Sequence, residues 1–153
     1  MPKSWRVVKT RFSADTFNGE GARLFGGRWN SPGVRMVYTA GSISLATLEL
    51  LVHLDSSALL PSYSICPVDF EDSLVELLNR ARLPSDWNQS PPPTQLQVIG
   101  DEWISRGSSA VLKVPSAVVE EENNYLINPV HKDFKKLILG SMKPLILDKR
   151  LIS

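Results

Sequence analysis

Residues 25–55 set the local structure of the first third of the chain, because turn, strand and helix signals follow one another there without a gap. Residues 30–33 read Asn-Ser-Pro-Gly, which predicts a tight turn, since proline presets φ and glycine tolerates a positive φ. Residues 34–40 are rich in β-branched and aromatic side chains and predict a strand. Ser42 or Ser44 can cap the helix that follows, so the stretch predicts a turn–strand–helix unit.

Glu49 is the residue of this helix that the apolar pattern does not explain. Leu45, Leu48 and Val52 form an apolar stripe at helical spacing. Glu49 lies four residues after Leu45, on the same predicted face. A carboxylate that faces a core is costly unless it is paired or hydrogen-bonded. Two interpretations stay open: a structural pair with Arg28 or His53, or a functional carboxylate. Further leucines make the helix apolar nearly all round, so its inward face is poorly defined.

Arg28 and Tyr38 lie in the same stretch as Glu49. Arg28 follows two glycines, which let a ligand approach the backbone, and precedes Trp29, whose indole stiffens its surroundings. Tyr38 is near the end of the strand that leads into the helix, where ligand groups gather in α/β arrangements. Each residue alone also fits an ordinary role, as a surface ion-pair partner or a half-buried strand tyrosine. Together they predict a cleft with an anion clamp, a stacking platform and a carboxylate.

The composition is that of an ordinary globular protein. The chain has 153 residues, with 42% hydrophobic and 22% charged, so we expect a single domain over residues 1–153. A net charge of +1 argues against a general nucleic-acid binder but leaves room for a local basic pocket. The single cysteine, Cys66, permits no internal disulfide. No secretory signal or membrane-length apolar run is visible, so we expect a cytoplasmic protein without membrane contact.

The rest of the chain predicts short strands separated by helices. We expect a long loop over residues 12–24 with room for one helical turn, a connection over 56–61 and a short helix over 72–82. A proline-rich surface loop over 83–94 follows, and Thr94 can cap a helix that runs to about Ser105 and is ended by Arg106-Gly107. Strands are expected over residues 5–8, 62–70, 109–114, 125–127, 135–139 and 144–147. Regular βαβ alternation is missing, which argues against a doubly wound sheet and favours an α+β fold. The acidic triplet 120–122 is interpreted as a solvated turn, since no histidine lies at metal-ligand spacing.

The motifs around these residues resemble the RES domain family, which is named for an arginine, a glutamate and a serine. The resemblance runs over nearly the whole chain, with several motifs in order and at family-like spacing. They are Trp5-Arg6, Arg11-Phe12, Gly19-Glu20-Gly21-Ala22-Arg23, Gly26-Gly27-Arg28-Trp29-Asn30-Ser31-Pro32-Gly33, Val37-Tyr38-Thr39-Ala40, Ala46-Thr47-Leu48-Glu49, Val114-Pro115-Ser116, Asn123-Asn124-Tyr125-Leu126-Ile127-Asn128-Pro129 and His131.

The resemblance implies a fold, an activity and a partner. The fold would be a compact domain like that of ADP-ribosyltransferases, in which small sheets form a cleft for NAD+. The activity would be that of a bacterial toxin that degrades NAD+ by cleaving the nicotinamide–ribose bond, through hydrolysis or phosphorolysis. NAD+ would be the substrate, with no other cofactor and no metal. The partner would be an Xre-type helix-turn-helix antitoxin that covers the active site and through which the protein oligomerises.

The resemblance also assigns roles to residues. Glu49 would stabilise the positive charge that develops on the ribose, and Arg28 would hold the pyrophosphate, with Arg6 as a second clamp residue. Tyr38 would stack on the nicotinamide. Ser116, and less strongly Asn124, would hydrogen-bond the carboxylate or the nicotinamide amide; which of Ser109, Ser116 and Asn124 contacts NAD+ is left open by the sequence.

Alternatives of other classes remain. The same residues would serve a protein mono-ADP-ribosyltransferase or a non-catalytic nucleotide-binding module. A serine hydrolase is disfavoured, because His53 and His131 are the only histidines and no Gly-x-Ser-x-Gly motif is present. A metal-dependent nuclease is disfavoured because clustered carboxylates beside a basic groove are missing.

Overall fold

The computed structural model of the chain describes residues 1–54 and 62–151, and the side chains of residues 13–15 are not described. The described strands are β1 Lys3–Lys9, β2 Val37–Ala40, β3 Tyr63–Asp69, β4 Val75–Leu77, β5 Val111–Pro115, β6 Asn123–Ile127, β7 Ile138–Leu139 and β8 Lys143–Leu145. The described α-helices are α1 Glu20–Phe25, α2 Ile43–Leu51 and α3 Thr94–Arg106. The predicted α+β class is confirmed.

The strands form one mixed sheet in the order β4-β5-β6-β2-β1-β3-β7, with β8 also paired to β3. All pairs are antiparallel except β4 with β5. The centre of the sheet is narrow, because β1 and β2 pair at a single position, Trp5 with Ala40. Beyond that pair the two strands part, so the sheet consists of two small halves joined at one point.

Alternating residues of the central strands build a core on each face of the sheet. Tyr38, Leu126 and Leu112 point to the face that α3 covers, where Trp103 is fully buried. Their neighbours on the strands form a second cluster on the opposite face, made of Val37, Val68, Phe70, Leu74, Ala110, Val111, Ile127 and Leu137. Helix α2 packs on the sheet beside Ala40. The central strands therefore lie between two hydrophobic clusters, one on each face of the sheet.

Helix α2 begins where the sequence predicts but buries a different face. Ser42 caps it, since its Oγ accepts the N–H of Leu45 at 3.0 Å. The buried residues are Leu45, Ala46 and Thr47. Leu48 is 41% exposed and Val52 is 60% exposed, so the apolar stripe predicted through these two residues was wrong. The nearly uniform apolar character of this helix gave no reliable inward face.

Helix α3 matches its predicted span and ends at Gly107, which adopts the left-handed conformation expected of a C-cap. Thr94 is its first residue rather than its cap, a position that Pro93 occupies. Gly100 lies against the backbone of Trp29, where a Cβ would meet the Trp29 carbonyl oxygen at 1.6 Å. The helix therefore sits directly on the segment that carries Arg28.

Other expected elements differ from the structure. The helix predicted over residues 72–82 was wrong: the chain there forms two 3₁₀ turns, Asp72–Leu74 and Arg80–Arg82, on either side of β4. Parallel pairing of Val75 with Val111 gives these residues backbone partners that a helix would not use. The helical turn allowed within the loop over residues 12–24 is α1, at the end of that loop, and the strand predicted from residue 34 begins at Val37. The predicted connection over residues 56–61 lies outside the described residues.

The described helices are all too short or too polar to cross a lipid bilayer.

Candidate active site

Glu49 is half-buried on α2, and one of its carboxylate oxygens is held by two side chains. Its Oε1 accepts hydrogen bonds from Ser116 Oγ and from Asn124 Nδ2, each at 2.8 Å. Within residues 1–54 and 62–151, neither Arg28 nor His53 comes within 4.0 Å of the carboxylate as an ion pair. Neutral donors therefore orient Glu49, and among those same residues Oε2 has no hydrogen-bond partner.

Ser116 is a fully buried residue just after β5, and its hydroxyl is saturated. The Oγ accepts the backbone N–H groups of Val118 and Val119, at 3.0 and 3.1 Å. A hydroxyl has one proton, and with both acceptor positions taken that proton points to Glu49. Of the two contacts expected for Ser116, the hydroxyl makes the one to the Glu49 carboxylate. It has no hydrogen-bonding capacity left for the nicotinamide amide.

Asn124 reaches the carboxylate from β6, where it pairs with Ala40 on one side and Val114 on the other. Because Nδ2 donates to Glu49, the amide cannot rotate without placing its own oxygen against the carboxylate. Its Oδ1 is consequently buried without a partner, the one such side-chain atom in the described part of the chain. An unpaired buried acceptor costs about 1–3 kcal/mol. Glu49 therefore imposes an orientation on Asn124 that the fold alone does not favour.

Arg28 is half-buried in the segment between α1 and β2. Its Nη1 donates to the backbone oxygens of Trp87 and Gln89, each at 3.0 Å. Burial lowers the pKa of the guanidinium, while the nearby negative charge of Glu49, and to a smaller extent Tyr38, opposes that effect. Arg28 and Glu49 thus share one electrostatic environment without touching.

Tyr38 supports the Arg28 segment through its hydroxyl group. The hydroxyl donates to Asn30 Oδ1 at 2.5 Å and accepts the N–H of Trp29 at 3.0 Å. A Cβ at Gly27 would stand 2.6 Å from the Tyr38 oxygen, so glycine is required for this approach. Burial raises the pKa of Tyr38 well above its usual range, which keeps the hydroxyl protonated. The hydroxyl therefore has a structural role. The stacking predicted for Tyr38 would involve its ring only.

Three residues of the site were missed by the sequence reasoning. Asn30 is fully buried, and its Nδ2 donates to the backbone oxygens of Ala22 and Val34, at 2.9 and 3.0 Å. Gln97 and Asp101 extend from α3: Gln97 Nε2 bonds the Gly27 and Asn30 oxygens at 3.1 Å, and Asp101 Oδ1 accepts the Ser31 N–H at 3.0 Å. The sequence pattern that could have indicated this face of α3 is the pair of polar residues at positions 97 and 101, which lie one helical turn apart.

Arg6 stands in the gap where β1 and β2 part. Its Nη1 donates to the Tyr38 backbone oxygen at 3.2 Å and its Nε to the Thr16 oxygen at 3.3 Å. Burial lowers the pKa of Arg6 to about 10, although the proximity of Tyr38 raises it. Arg6 therefore adjoins the backbone of Tyr38. Ser116 and Asn124 contact the Glu49 carboxylate, and Arg28 lies near both Glu49 and Tyr38.

Ser109 lies apart from these residues. It is at the opposite end of β5 from Ser116, and its Oγ accepts the indole N–H of Trp103 at 2.8 Å. A separate groove of about 660 Å³, lined in part by Cys66, Phe134 and Met142, also lies elsewhere: none of the six residues predicted for the site lines it.

The fold and the site define a small α+β protein whose central feature is a carboxylate oriented by a serine and an asparagine beside a half-buried arginine. The RES domain family model matches residues 3–148, and the chain belongs to the RES domain family. The resemblance inferred from the motifs is confirmed.

Named relatives agree with this assignment. The chain is 43% identical to "Toxin Res" of Yersinia enterocolitica, over 92% of each chain. It is 41% identical to "Toxin Res" of Photorhabdus laumondii, over 88% of this chain and 86% of that one. It is 35% identical to "Prs ADP-ribosylating toxin" of Sphingobium sp., over 97% of this chain and 95% of that one.

A solved structure shares the fold. The crystal structure of the Mycobacterium tuberculosis MbcT–MbcA toxin–antitoxin complex contains a chain that matches with a TM-score of 0.76 at 21% identity, covering 94% of this chain and 84% of that one.

Proposed function

We propose that this protein is the toxin of a toxin–antitoxin pair and that it cleaves the bond between nicotinamide and ribose in NAD+. The observation that carries the proposal is Glu49, whose Oε1 is fixed by Ser116 and Asn124 and whose Oε2 is left without a partner among the described residues. A carboxylate held in this way is preorganised to face a cation. Relatives of high coverage that bear the name Toxin Res support the toxin assignment.

The reaction needs electrostatic stabilisation more than acid catalysis. When the ribose C1′–N bond breaks, its electron pair moves to the positively charged nicotinamide nitrogen, so nicotinamide leaves as a neutral ring. The positive charge passes to the ribose C1′ and ring oxygen, and a carboxylate beside the ribose stabilises that charge. Glu49 is the group we assign to this task. A lone pair of water or phosphate then forms the new C1′–O bond, and an attacking water gives up a proton.

The arginines suit the other end of the substrate. A guanidinium grips a pyrophosphate with charge-assisted, two-pronged hydrogen bonds. Arg28 has both Nη1 hydrogens on backbone oxygens, which leaves Nε and Nη2 for an anion. Arg6 is the second candidate for the clamp, and the ring of Tyr38 is the candidate platform for nicotinamide.

The test is product identification. Purified protein is incubated with NAD+ with and without phosphate, and products are separated by mass. Free nicotinamide with ADP-ribose indicates hydrolysis, and ADP-ribose 1″-phosphate indicates phosphorolysis. Intact NAD+ under both conditions, with a folded protein free of any antitoxin, would reject the proposal and favour a non-catalytic nucleotide-binding module.

A second candidate function is protein ADP-ribosylation at the same site. It is favoured by the Sphingobium relative, which is named for ADP-ribosylation and covers nearly the whole chain. The departure of nicotinamide is common to both reactions, and only the acceptor differs. Labelled NAD+ added to a cell extract with the protein would place the label on a protein band in this case, and on a small molecule in the first.

A toxin that consumes NAD+ requires an inhibitor in its own cell. We propose an Xre-type helix-turn-helix antitoxin that covers the Glu49 site in the cytoplasm and through which the complex oligomerises. The likeness to a chain of the MbcT–MbcA toxin–antitoxin complex supports an antitoxin partner. Phe25 supports it too, because this aromatic side chain is 83% exposed and stands three residues before Arg28.

A further inference from the structure

The proline-rich loop contacts Arg28 through its backbone. The oxygens of Trp87 and Gln89 both accept from Arg28 Nη1 at 3.0 Å. The guanidinium is planar, so fixing one terminal nitrogen at two points also fixes the directions of the remaining N–H groups. We call residues 87–89 the strap.

The residue between these two oxygens reaches the other side of the site. The Asn88 side-chain amide donates to the carboxylate of Glu120, a contact we call the latch. Glu120 directly follows Val119, whose N–H binds the hydroxyl of Ser116. Ser116 in turn donates to Glu49. The strap therefore joins the arginine side of the site to the turn that orients the carboxylate.

Few other contacts hold the strap in place. Residues 83–93 contain neither helix nor strand. Two apolar side chains anchor the segment to the core under α3: Leu83 at its start and the half-buried Trp87 within the strap. Loops held by few contacts open at low cost, so a single side-chain contact can decide the position of the strap.

We propose that Asn88 and Glu120 are positioning residues for anion binding: the latch holds the strap, and the strap aims Arg28 at a pyrophosphate group. The inference rests on the proposed function only in the identity of the anion. Neither residue touches the reacting atoms, so the latch governs binding of the substrate more than turnover. Like charges within the latch should open it, and opposite charges should close it again.

The experiment changes the charges across the latch. The variants are Asn88→Asp, which places two carboxylates against each other, Glu120→Lys, which removes the acceptor, and the double variant Asn88→Asp/Glu120→Lys, which pairs opposite charges. Matched controls are Ser85→Asp, an exposed residue of the same loop, and Glu121→Lys, the exposed neighbour in the acidic turn. The readouts are the affinity for inorganic pyrophosphate by calorimetry, KM and kcat for NAD+, and a thermal melt.

We expect Asn88→Asp to weaken pyrophosphate binding and to raise KM for NAD+ by about three- to tenfold, the scale of one net hydrogen bond. The double variant should recover both to within about twofold of the native protein, since it restores an attractive pair. Turnover and melting temperature should change little. The two controls should leave pyrophosphate affinity within about twofold, a range that allows for screened surface charge.

Other outcomes would overturn the inference. An affinity that is the same in Asn88→Asp as in Ser85→Asp means that the latch does not position Arg28. A double variant no better than the single variants means that the two side chains do not act on each other. Latch-dependent pyrophosphate binding without NAD+ cleavage would reject the proposed function and leave this inference standing. Failure to bind pyrophosphate and to cleave NAD+ would reject both.

Discussion

Asn124 Nδ2 lies 2.8 Å from Glu49 Oε1, a contact that joins two residues 75 positions apart and ties β6 to α2. The contact fixes the carboxylate and, at the same time, leaves Asn124 Oδ1 buried and unpaired among the described residues. Glu49 and Asn124 therefore form a unit in which orientation of the carboxylate is favoured over complete hydrogen bonding. Unpaired buried groups of this kind mark places where function and stability diverge.

Glu49→Gln should abolish most of the chemistry while preserving the fold. The glutamine oxygen can still accept from Ser116 and Asn124, but the charge is gone. We expect NAD+ cleavage to fall by about 10²–10³-fold, as for other preorganised electrostatic groups. The Kd for NAD+ should change far less, because the ribose cation develops after binding. Single-turnover cleavage beside a thermal melt measures both effects. A folded Glu49→Gln protein with full activity would exclude the proposed mechanism.

Ser116→Ala and Asn124→Ala should differ in stability although both remove a donor to Glu49. Ser116→Ala leaves the half-buried N–H groups of Val118 and Val119 without their acceptor, which should cost about 1–3 kcal/mol. Asn124→Ala removes an orphaned acceptor together with a hydrogen bond, so its free energy of unfolding should stay within about 1 kcal/mol of the native value. Denaturant titrations give both numbers. Equal destabilisation would contradict our account of Oδ1.

Arg28→Lys should weaken NAD+ binding by about tenfold or more, because an ammonium cannot reproduce a planar two-pronged grip on pyrophosphate. Calorimetry with NAD+, or with inorganic pyrophosphate, measures the change. Arg82→Lys is the matched control, since Arg82 forms an exposed ion pair with Glu102. If Arg28→Lys binds as tightly as the control variant, Arg28 is not part of the clamp.

Tyr38→Phe should destabilise the protein by about 1–3 kcal/mol, because Asn30 Oδ1 and the Trp29 N–H lose their shared partner. Tyr125→Phe is the control: Tyr125 is also half-buried, and its hydroxyl has no hydrogen bond among the described residues. A loss in Tyr38→Phe no greater than in Tyr125→Phe would show that the hydroxyl does not support the Arg28 segment.

The pH dependence of stability should carry the signature of Tyr38. Burial raises the pKa of Tyr38 in the folded protein, so the unfolded chain releases the phenolic proton first as the solution becomes alkaline. The contribution is complete below the ordinary tyrosine pKa of about 10 and is lost progressively above it. Urea titrations at rising alkaline pH should therefore show a steeper fall in the free energy of unfolding for the native protein than for Tyr38→Phe. Parallel curves would contradict the burial of this hydroxyl.

A protein partner should bury Phe25. Co-expression with an Xre-type antitoxin is expected to give a stable complex on size exclusion, and Phe25→Asp should weaken that complex while leaving NAD+ cleavage by the free toxin intact. Phe12→Asp is a control, because Phe12 is also exposed but lies in the 3₁₀ turn Thr10–Asp15. A toxin that is tolerated alone at high expression with normal cellular NAD+ would argue against toxicity.

Elements with strong local signals were predictable from the sequence. The serine cap of α2, the glycine end of α3 and the proline-rich loop all follow from residue chemistry within a few positions. β4 was not predictable in this way, because Val75 joins the sheet through a parallel pairing with Val111, 36 positions later in the chain. Local propensity carries no information about such a partner.

The hydrogen bonds to Glu49 were partly predictable from the sequence, whereas those that support the Arg28 segment were not. Glu49, Ser116 and Asn124 were expected to act together, and the structure brings them into contact. The structural pairing of Glu49 with Arg28 or His53 is not found among the described residues, because the carboxylate turns toward β5 and β6. The roles of Asn30 and Gln97 were invisible, since a buried hydrogen-bond partner leaves no pattern in the local sequence.

The single backbone pair between β1 and β2 gives the Arg6 side chain a mechanical task as well as an electrostatic one. Where the next main-chain hydrogen bond of the ladder would be expected, the Tyr38 oxygen is met by a guanidinium instead. The Arg6 side chain thus links β1 to the Tyr38 backbone on β2 where the two strands no longer pair. A substitution at Arg6 would remove this link between β1 and β2 together with the positive charge. Lost activity in such a variant therefore reports on the strand geometry as much as on phosphate binding.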